Sequence, residues 1–237
     1  MLFLESRGTY GRWISTDAGY HGINLFNIWQ MPRMPTDLKA FLGAARKNKV
    51  RLWQLSSIKY IAAPANVLNS LPEALKGALN PILYYRFRPE GDWITVDELH
   101  QPEEQIDQVL LEYRDSVPRL AVYSNWKVLP LDQHLPTIFS SAFNPLMSVV
   151  IDEGFQMEPS SVATPVRVKE LVPELSFKDA VVQVKLDQPG IVLFSQKYQS
   201  DWNVEIDGQS AELLRCNYIF LGVHVPAGEH EVRFLLD

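Results

Sequence analysis

The chain has 237 residues, 46% of them hydrophobic, and a formal net charge of −6 at pH 7. The hydrophobic fraction can supply a buried core. The acidic balance argues against a nucleic-acid-binding protein and, more weakly, against docking on anionic lipid. Cys216 is the only cysteine, which excludes an internal disulfide and a cysteine-based metal site. No stretch approaches the roughly 20 apolar residues of a transmembrane helix.

The N-terminal part of the chain combines predicted helices and strands. Residues 10–35 are aromatic-rich with little periodicity, so they predict extended or looped segments. In chain order, the elements that follow are a helix at 36–49, a strand at 51–64, a helix at 69–80, a strand at 81–89, a strand at 118–130, a helix at 131–144 and a strand at 145–153. Thr36, Ser70 and Asp132 are the predicted N-caps. This order, with an insertion at 90–117, matches a split ferredoxin-like arrangement.

The C-terminal part of the chain predicts only strands. Residues 154–165 contain proline and adjacent serines without periodicity, so they predict a linker. In residues 166–237, apolar and polar side chains alternate, which predicts two packed antiparallel sheets. The predicted fold class is therefore α+β, with an N-terminal mixed α/β domain over 1–153 and a C-terminal antiparallel β-sandwich over 166–237.

The alternation also predicts which side chains are buried. One predicted buried face consists of Ile219, Leu221, Val223 and Val225. His224 lies between them and is therefore predicted at the surface. Trp202 begins a strand in which Val204 and Ile206 face the core, so we expect it to be a buried anchor. Asp207 and Gly208 predict a two-residue hairpin turn in which Gly208 has a positive φ.

The common catalytic and cofactor-binding motifs do not occur in the sequence. It contains no G-x-S-x-G, no P-loop, no G-x-G-x-x-G, no H-E-x-x-H and no EF-hand loop. The histidines are scattered without the spacing of metal ligands: His21, His100, His134, His224 and His230. We therefore predict no catalytic residue, no cofactor and no metal ligand in this chain.

Two clusters leave an alternative interpretation open. The acids of residues 96–107 surround His100 and could bind a cation or form a glycosidase-type pair. A solvated turn and helix start explains them at least as well. The second cluster is aromatic and consists of Tyr10, Trp13, Tyr20, Phe26 and Trp29. These side chains could stack on sugar rings, although core packing is the more frequent role of aromatic residues.

The most specific pattern lies in the last 50 residues. A strand ends in a serine and a tyrosine, a tryptophan opens the next strand, and Asp-Gly, Arg-Asn and Pro-Ala-Gly-x-His elements follow. These residues are Ser195, Tyr198, Trp202, Asp207, Gly208, Arg215, Asn217, Pro226, Ala227, Gly228 and His230. The pattern closely resembles the C-terminal soluble segment of bacterial YfhO-like membrane proteins. Residues 51–64 and 110–129 resemble that family more weakly, so that the resemblance covers most of residues 50–237. Asp201 stands where the family has glycine, and Cys216 separates the Arg-Asn pair.

The resemblance implies a function and a location. YfhO-like proteins are similar to multi-spanning glycosyltransferases that use polyprenyl-phosphate sugars. We therefore expect this chain to be a non-catalytic domain of a longer membrane protein, on the extracytoplasmic face of the bacterial cytoplasmic membrane. Its expected partners are the transmembrane helices of the same protein and a glycan or cell-wall polymer, not nucleic acid. The alternatives are a carbohydrate-binding module and an autonomous hydrolase that uses the acids at 97–107.

The resemblance also implies the residues that matter most. We expect these positions to be mainly structural: Tyr198, Trp202, Asp207, Gly208, Arg215, Asn217, Gly228 and His230. They are called the motif residues below.

Overall fold

In a computed structural model of the chain, residues 1–3, 23, 26, 33–87, 93–96, 108–155, 171–175 and 179–237 are described. These residues are mostly strand, and their sheets are mainly antiparallel. The predicted α+β class with a β-rich C-terminal part is confirmed at this level. No helix among these residues is long and apolar enough to cross a membrane.

The described helices and strands follow in chain order. The helices are α1 (Thr36–Ala44), α2 (Lys49–Leu55), α3 (Val67–Ser70), α4 (Glu73–Lys76) and α5 (Leu131–Ile138), and a 3₁₀ turn, Ala45–Lys47, follows α1. The strands are β1 (Leu2–Phe3), β2 (Tyr60–Pro64), β3 (Leu79–Phe87), β4 (Trp93–Val96), β5 (Gln108–Tyr113), β6 (Leu120–Tyr123), β7 (Trp126–Leu129), β8 (Val149–Asp152), β9 (Leu171–Leu175), β10 (Asp179–Leu186), β11 (Gly190–Lys197), β12 (Trp202–Ile206), β13 (Gln209–Ser210), β14 (Leu214–Cys216), β15 (Phe220–Val225) and β16 (Gly228–Leu236).

The chain forms two compact units. The first contains Met1–Arg33 and Ser56–Ser116, and the second contains Met34–Leu55 and Val117–Asp237. Residues 117–153 therefore group with the C-terminal strands, whereas the sequence predicts them in the N-terminal domain. Most of the predicted linker lies outside the described residues, so the predicted domain boundaries stay a prediction.

The first unit contains a five-stranded sheet in the order β1-β2-β5-β3-β4. β1 and β2 are parallel, and the other neighbours are antiparallel. In β5, the buried residues Val109, Leu111 and Tyr113 alternate with partly exposed ones. This period of two is the pattern of a strand that covers a core with one face.

Helix α2 replaces the first part of the strand predicted at 51–64. Asn48 Oδ1 accepts a hydrogen bond from Arg51 N–H at 3.0 Å, as an N-cap side chain does at a helix start. Trp53 and Leu55 of this helix are buried. A short apolar run fits a helix or a strand equally well. The strand prediction for the first part of 51–64 was wrong because Asn48 was not recognised as a helix cap.

The single helix predicted at 69–80 is two short turns, α3 and α4. Pro72 separates them, because proline lacks an N–H and pushes the preceding residue out of the helical region. Leu71 accordingly has φ −66° and ψ 134°. Ser70 is the last residue of α3 and does not cap a helix start.

Helices α1 and α5 occur where the sequence predicts helices, but their N-caps differ from the prediction. Pro35 and Pro130 occupy the N-cap positions. Thr36 is the first residue of α1, and Asp132 lies in the first turn of α5. A carboxylate in the first turn interacts favourably with the helix dipole without capping an N–H.

The second unit contains two sheets. Their strand orders are β6-β11-β15-β14-β8-β7 and β13-β12-β16-β10-β9. The strands of the first predicted β-α-β element lie in the sheet of the first unit, and those of the second lie in the six-stranded sheet. A split ferredoxin-like sheet is therefore not confirmed.

Side chains on both faces of the six-stranded sheet are buried, and strand β11 is the example. Val192 and Phe194 join a cluster of buried side chains that includes residues of β10, β12 and β16, which belong to the five-stranded sheet of the second unit. Ile191 and Leu193 join a second cluster, which includes residues of α1, α2 and α5. Because successive side chains of a strand point to opposite faces, β11 is buried on both sides.

Two side chains near β15 differ from the prediction. Ile219 belongs to the cluster with the helices, whereas Leu221, Val223 and Val225 belong to the cluster to which both sheets contribute. His224 does lie on the other face of β15 from Val223, as predicted, but aromatic rings cover that face of the strand at this position. Its ring lies 6.0 Å from the ring of Trp126 and 5.6 Å from that of Phe155, between centroids. The side chain is half-buried, which lowers its pKa, so His224 is not the exposed surface residue that the sequence predicts.

Candidate functional site

The motif residues fall into two groups in the second unit. Asp207 and His230 line an open cleft beside the β12–β13 hairpin, while Gly208 follows Asp207 in the hairpin turn and Gly228 begins β16 two residues before His230. Tyr198, Arg215 and Asn217 surround the turn between β14 and β15. Trp202 is buried in the cluster to which both sheets of the second unit contribute side chains.

The β12–β13 hairpin has the predicted two-residue turn. Asp207 and Gly208 have φ values of 52° and 74°. Both values lie in the left-handed region that such hairpin turns require, which Gly and Asp tolerate better than most residues. The positive φ predicted for Gly208 is confirmed.

Asp207 joins this turn to the neighbouring strand β16. Its N–H donates to Glu231 O at 2.9 Å, and its Oδ1 accepts from Glu231 N–H at 2.8 Å. Its Oδ2 lies 2.8 Å from His230 Nδ1. The hydrogen bond from His230, followed by that from Glu231 N–H, lowers the pKa of Asp207. The carboxylate is therefore ionised at neutral pH.

Gly228 and His230 are fitted to each other. Gly228 has φ 134°, which side chains rarely allow, and a Cβ placed on it would lie 2.9 Å from His230 Nε2. His230 Nε2 also lies 3.4 Å from Ala227 O. The Gly-x-His spacing thus lets the imidazole fold back over the β15–β16 turn while its other nitrogen faces Asp207.

The cleft beside this hairpin has a volume of about 340 Å³. Its apolar wall consists of Ile206, Ala211 and Pro226, and its polar groups are those of Asp207, Gln209, Ser210 and His230. The side chains of Asp207, Gln209 and His230 can exchange hydrogen bonds with a hydroxyl-rich ligand. Among the described residues that line it, there is no Trp, Tyr or Phe ring on which a sugar could stack.

Asp207, His230 and Ser210 do not form a nucleophilic triad. Ile206 pairs with Val232, which shares a face of β16 with His230. Ser210 pairs with Glu205, which lies on the opposite face from Ile206. The register therefore places Ser210 and His230 on opposite faces of the sheet, whereas a triad needs the serine hydroxyl within hydrogen-bond reach of the imidazole.

The second group is centred on the guanidinium of Arg215. It lies 5.4 Å from the ring centroid of Tyr198 and 5.3 Å from that of Tyr218. Its Nε donates to Tyr218 O at 2.6 Å, and its Nη2 lies 3.8 Å from Asp37 Oδ2. A planar cation between two aromatic faces gains cation–π attraction on both sides.

Asp37, at the start of α1, connects the helix to this cation. Its Oδ2 lies 3.0 Å from Lys197 Nζ. Burial raises the pKa of Asp37, but the hydrogen bonds from Lys197 and Leu38 N–H and the charge of Arg215 outweigh it, so the pKa is lowered. Asp37 neutralises much of the positive charge here, which disfavours an anion-binding role for the group.

Asn217 and His134 hold the backbone of the β14–β15 turn. Asn217 N–H donates to Val150 O at 2.7 Å, and Asn217 Oδ1 accepts from Val150 N–H at 2.9 Å. His134 Nδ1 accepts from Tyr218 N–H at 3.0 Å, while its Nε2 lies 3.0 Å from Leu129 O. Because Nδ1 is an acceptor, the proton is on Nε2 and the ring is neutral.

The sequence did not indicate the role of His134, which is completely buried. Burial lowers its pKa, although the Leu129 carbonyl and the charge of Asp152 act in the opposite direction. No local signal could have found this residue, because its partner Tyr218 lies 84 positions away in the chain.

The remaining candidates lie largely outside the described residues. This holds for His21, His100, Tyr10, Trp13, Tyr20, Trp29 and the acids at 97–107. Phe26 is partly buried, and its N–H donates to Met1 O at 2.9 Å. Within the part of the chain that the structure describes, no three His, Cys, Asp or Glu side chains come together as metal ligands would.

Comparisons of the chain with protein-family models, with curated proteins and with solved structures find no match.

Proposed function

We propose that this chain is a non-catalytic extracytoplasmic domain of a multi-spanning membrane protein of the YfhO-like type. That protein would resemble glycosyltransferases that use polyprenyl-phosphate sugars. The domain would cover the membrane-embedded site or position the acceptor over it. The sequence resemblance supports the family, and the contacts of the motif residues support the non-catalytic role.

The observation that carries the proposal is that the motif side chains bind other parts of the fold. Asp207 accepts hydrogen bonds from two successive residues of β16, Arg215 lies between two tyrosine rings, and Asn217 pairs with β8 through Val150. Trp202 is 3% exposed. These contacts account for the motif without a ligand or a reaction.

We also propose that the two sheets of the second unit form a β-sandwich. Support comes from the shared cluster, to which β10, β12 and β16 contribute from one sheet and β6, β11 and β15 from the other. A rigid domain of this kind suits a positioning role, because holding an acceptor in place lowers the entropic part of a reaction barrier.

The proposed setting is the outer face of the bacterial cytoplasmic membrane. The partners would be the transmembrane helices of the same protein and a glycan or cell-wall polymer. No cofactor is part of the proposal, since the chemistry would belong to the membrane-embedded part.

The test compares this chain with the full-length protein encoded by its gene. Both are incubated with polyprenyl-phosphate sugars and cell-wall polymer, and transfer of labelled sugar is measured. We expect transfer by the full-length protein and none by the chain. In the full-length protein, Asp207→Asn should lower the rate of sugar transfer only in proportion to the fraction of the domain that it unfolds.

Two results would contradict the proposal. One is turnover by the chain alone that is abolished when the acids of 97–107 are replaced: Asp97, Glu98, Glu103 and Glu104. The other is a gene whose reading frame encodes no transmembrane segments around this region.

The cleft beside the β12–β13 hairpin favours one alternative, a carbohydrate-binding module. Its polar side chains could bind sugar hydroxyls against the wall of Ile206 and Pro226. Isothermal titration with cell-wall oligosaccharides tests this. Saturable binding that Gln209→Ala weakens and Gln199→Ala, an exposed glutamine outside the cleft, leaves unchanged would favour the module.

A further inference from the structure

The cleft beside the β12–β13 hairpin has the size and the lining of a site for one small ligand. Its volume of about 340 Å³ lies at the lower end of the roughly 300–1,000 Å³ of small-molecule pockets. Ile206 and Pro226 belong to its apolar wall, and Asp207, Gln209 and His230 supply polar side chains. An apolar wall with a few polar groups is the usual lining of a ligand site, because the polar groups fix the orientation of the ligand.

The carboxylate of Asp207 can accept hydrogen bonds from a ligand as well as from the fold. Its side chain is 53% exposed, and each of its oxygens has one partner in the chain, His230 Nδ1 for Oδ2 and Glu231 N–H for Oδ1. An ionised carboxylate has about four acceptor sites, so about half of them stay open. The bonds from His230 and Glu231 lower the pKa of Asp207, and its negative charge is therefore present at neutral pH.

The surroundings of the cleft are negatively charged. The two segments that supply its lining, residues 203–213 and 224–232, contain five carboxylates and no lysine or arginine. Two of the five carboxylates pair with basic side chains of the same sheet: Glu229 with Lys185 and Glu231 with Arg233. The other three, Asp207 among them, form no ion pair with a lysine or arginine of the described residues. A cleft with charge of one sign attracts ligands of the other sign, so this cleft favours a cation and disfavours an anion.

We infer that the cleft binds an amino sugar, such as glucosamine, through its ammonium group. The ammonium donates to the carboxylate of Asp207, and the sugar hydroxyls exchange hydrogen bonds with Gln209 and His230. The apolar face of the sugar ring lies against Ile206 and Pro226. A lysine side chain would bring the same ammonium group but no hydroxyls for Gln209 and His230, so the lining favours the sugar over a peptide.

This inference goes beyond the proposed function, because it assigns a ligand to the cleft and needs neither a membrane nor a transferase. It also differs from the carbohydrate-binding alternative, for which a neutral sugar would be sufficient. The charge of Asp207 and of its surroundings is the reason for requiring the amine.

The test is NMR titration of the ¹⁵N-labelled chain with glucosamine, glucose and N-acetylglucosamine at equal ionic strength, below the pKa of the amine. Only glucosamine is then charged. We expect it to shift the backbone signals of residues 206–211 and to bind roughly two- to fivefold more tightly than the neutral sugars, which is the contribution of an exposed ion pair. The difference should shrink at higher salt, because the Debye length shortens. Nα-acetyl-lysine amide, which has the ammonium without sugar hydroxyls, should bind more weakly than glucosamine.

Matched variants separate the charge of Asp207 from the rest of the lining. Asp207→Asn should abolish the preference for glucosamine, because it removes the charge while asparagine tolerates the positive φ of the turn. Gln209→Ala should weaken the binding of all three sugars and keep the preference. The control is Asp187→Asn, which removes an exposed carboxylate of the β10–β11 turn and should leave every affinity unchanged. The spectra also show whether each variant is folded.

Four outcomes would overturn the inference. The first is that no sugar shifts the signals of residues 206–211. The second is equal affinity for glucosamine and glucose, which would leave a site for neutral sugars. The third is that the lysine amide binds as tightly as glucosamine, which would indicate a peptide ligand. The fourth is a preference for glucosamine that persists in Asp207→Asn. None of these outcomes depends on sugar transfer, so this inference and the proposed function can fail separately.

Discussion

Asp207 Oδ2 lies 2.8 Å from His230 Nδ1, and this contact joins the turn of the β12–β13 hairpin to strand β16. The two residues are 23 positions apart. Asp207 Oδ1 accepts a further hydrogen bond from Glu231 N–H. The hairpin is thus tied to its neighbour by a side chain as well as by backbone pairing.

We expect Asp207→Asn to lower the unfolding midpoint of the chain. Asparagine tolerates the positive φ at this position, so the change removes mainly the charge that strengthens both hydrogen bonds. Asp187→Asn, at an exposed aspartate in the β10–β11 turn, is the control. Thermal unfolding measures both, and equal midpoints would show that Asp207 does not stabilise the hairpin.

Trp202→Ala should destabilise the chain by about 3–5 kcal/mol, the usual loss for a buried large aromatic side chain. Trp202 is 3% exposed, and its ring lies nearly perpendicular to that of Phe194, with 5.9 Å between the centroids. Its Nε1 is buried without a hydrogen-bond partner among the described residues. Trp202→Phe should therefore cost less, because it keeps a ring and removes that N–H. Urea unfolding in which both variants match the unchanged chain would rule out the anchoring role.

Gly208→Val should destabilise the chain by about 1–2 kcal/mol because a β-branched residue resists the left-handed region. The cost comes from the backbone alone, since a Cβ on Gly208 would meet no atom within 4 Å. Gln209→Val is the control, because position 209 is exposed and in a strand, where valine is favourable. Equal losses of unfolding free energy at both positions would contradict the assigned turn.

Arg215→Lys should destabilise the chain by about 1–2 kcal/mol, although it keeps the positive charge. Lysine has no Nε donor for Tyr218 O and no planar group to stack between the rings of Tyr198 and Tyr218. Arg233→Lys, at an arginine whose side chain is 46% exposed, should change the free energy of unfolding little. A loss at Arg233 as large as that at Arg215 would contradict the role of stacking.

Acid should destabilise the chain through His134 and His224. Burial lowers the pKa of both in the folded state, so below the ordinary histidine pKa of about 6.5 the unfolded chain binds more protons. Stability is then complete above that pH and is lost as the pH falls below it. In the folded state, protonation of His134 Nδ1 would also break its bond to Tyr218 N–H.

Unfolding in urea at a series of pH values measures this effect. His224→Phe keeps a ring between Trp126 and Phe155 and removes one titrating group, so the decrease below about pH 6.5 should become shallower. His134→Asn should make it shallower too, but at a cost in stability at higher pH. An unchanged pH dependence in both variants would show that other groups cause the acid loss.

Part of the candidate site could be predicted from the sequence. The Asp207-Gly208 turn depends on φ values within two residues, so local pattern is sufficient. The Gly-x-His spacing at 228–230 came only from the family resemblance, which did not state its contact. The partners of these residues could not be predicted. His134, Asp37 and Lys197 meet the β14–β15 turn only because the sheet and the helices bring distant segments together.

The sequence by itself determined strands β10, β11, β12, β15 and β16, the Asp207-Gly208 turn and the alternation of side chains within these strands. Those properties follow from the period of two along a single strand. Only the tertiary structure decided which faces are covered. His224 lies on the opposite face of its strand from Val223 and Val225, as its sequence position requires, yet the rings of Trp126 and Phe155 lie against it. A strand's pattern states which side chains share a face, but burial of that face depends on residues far away in the chain.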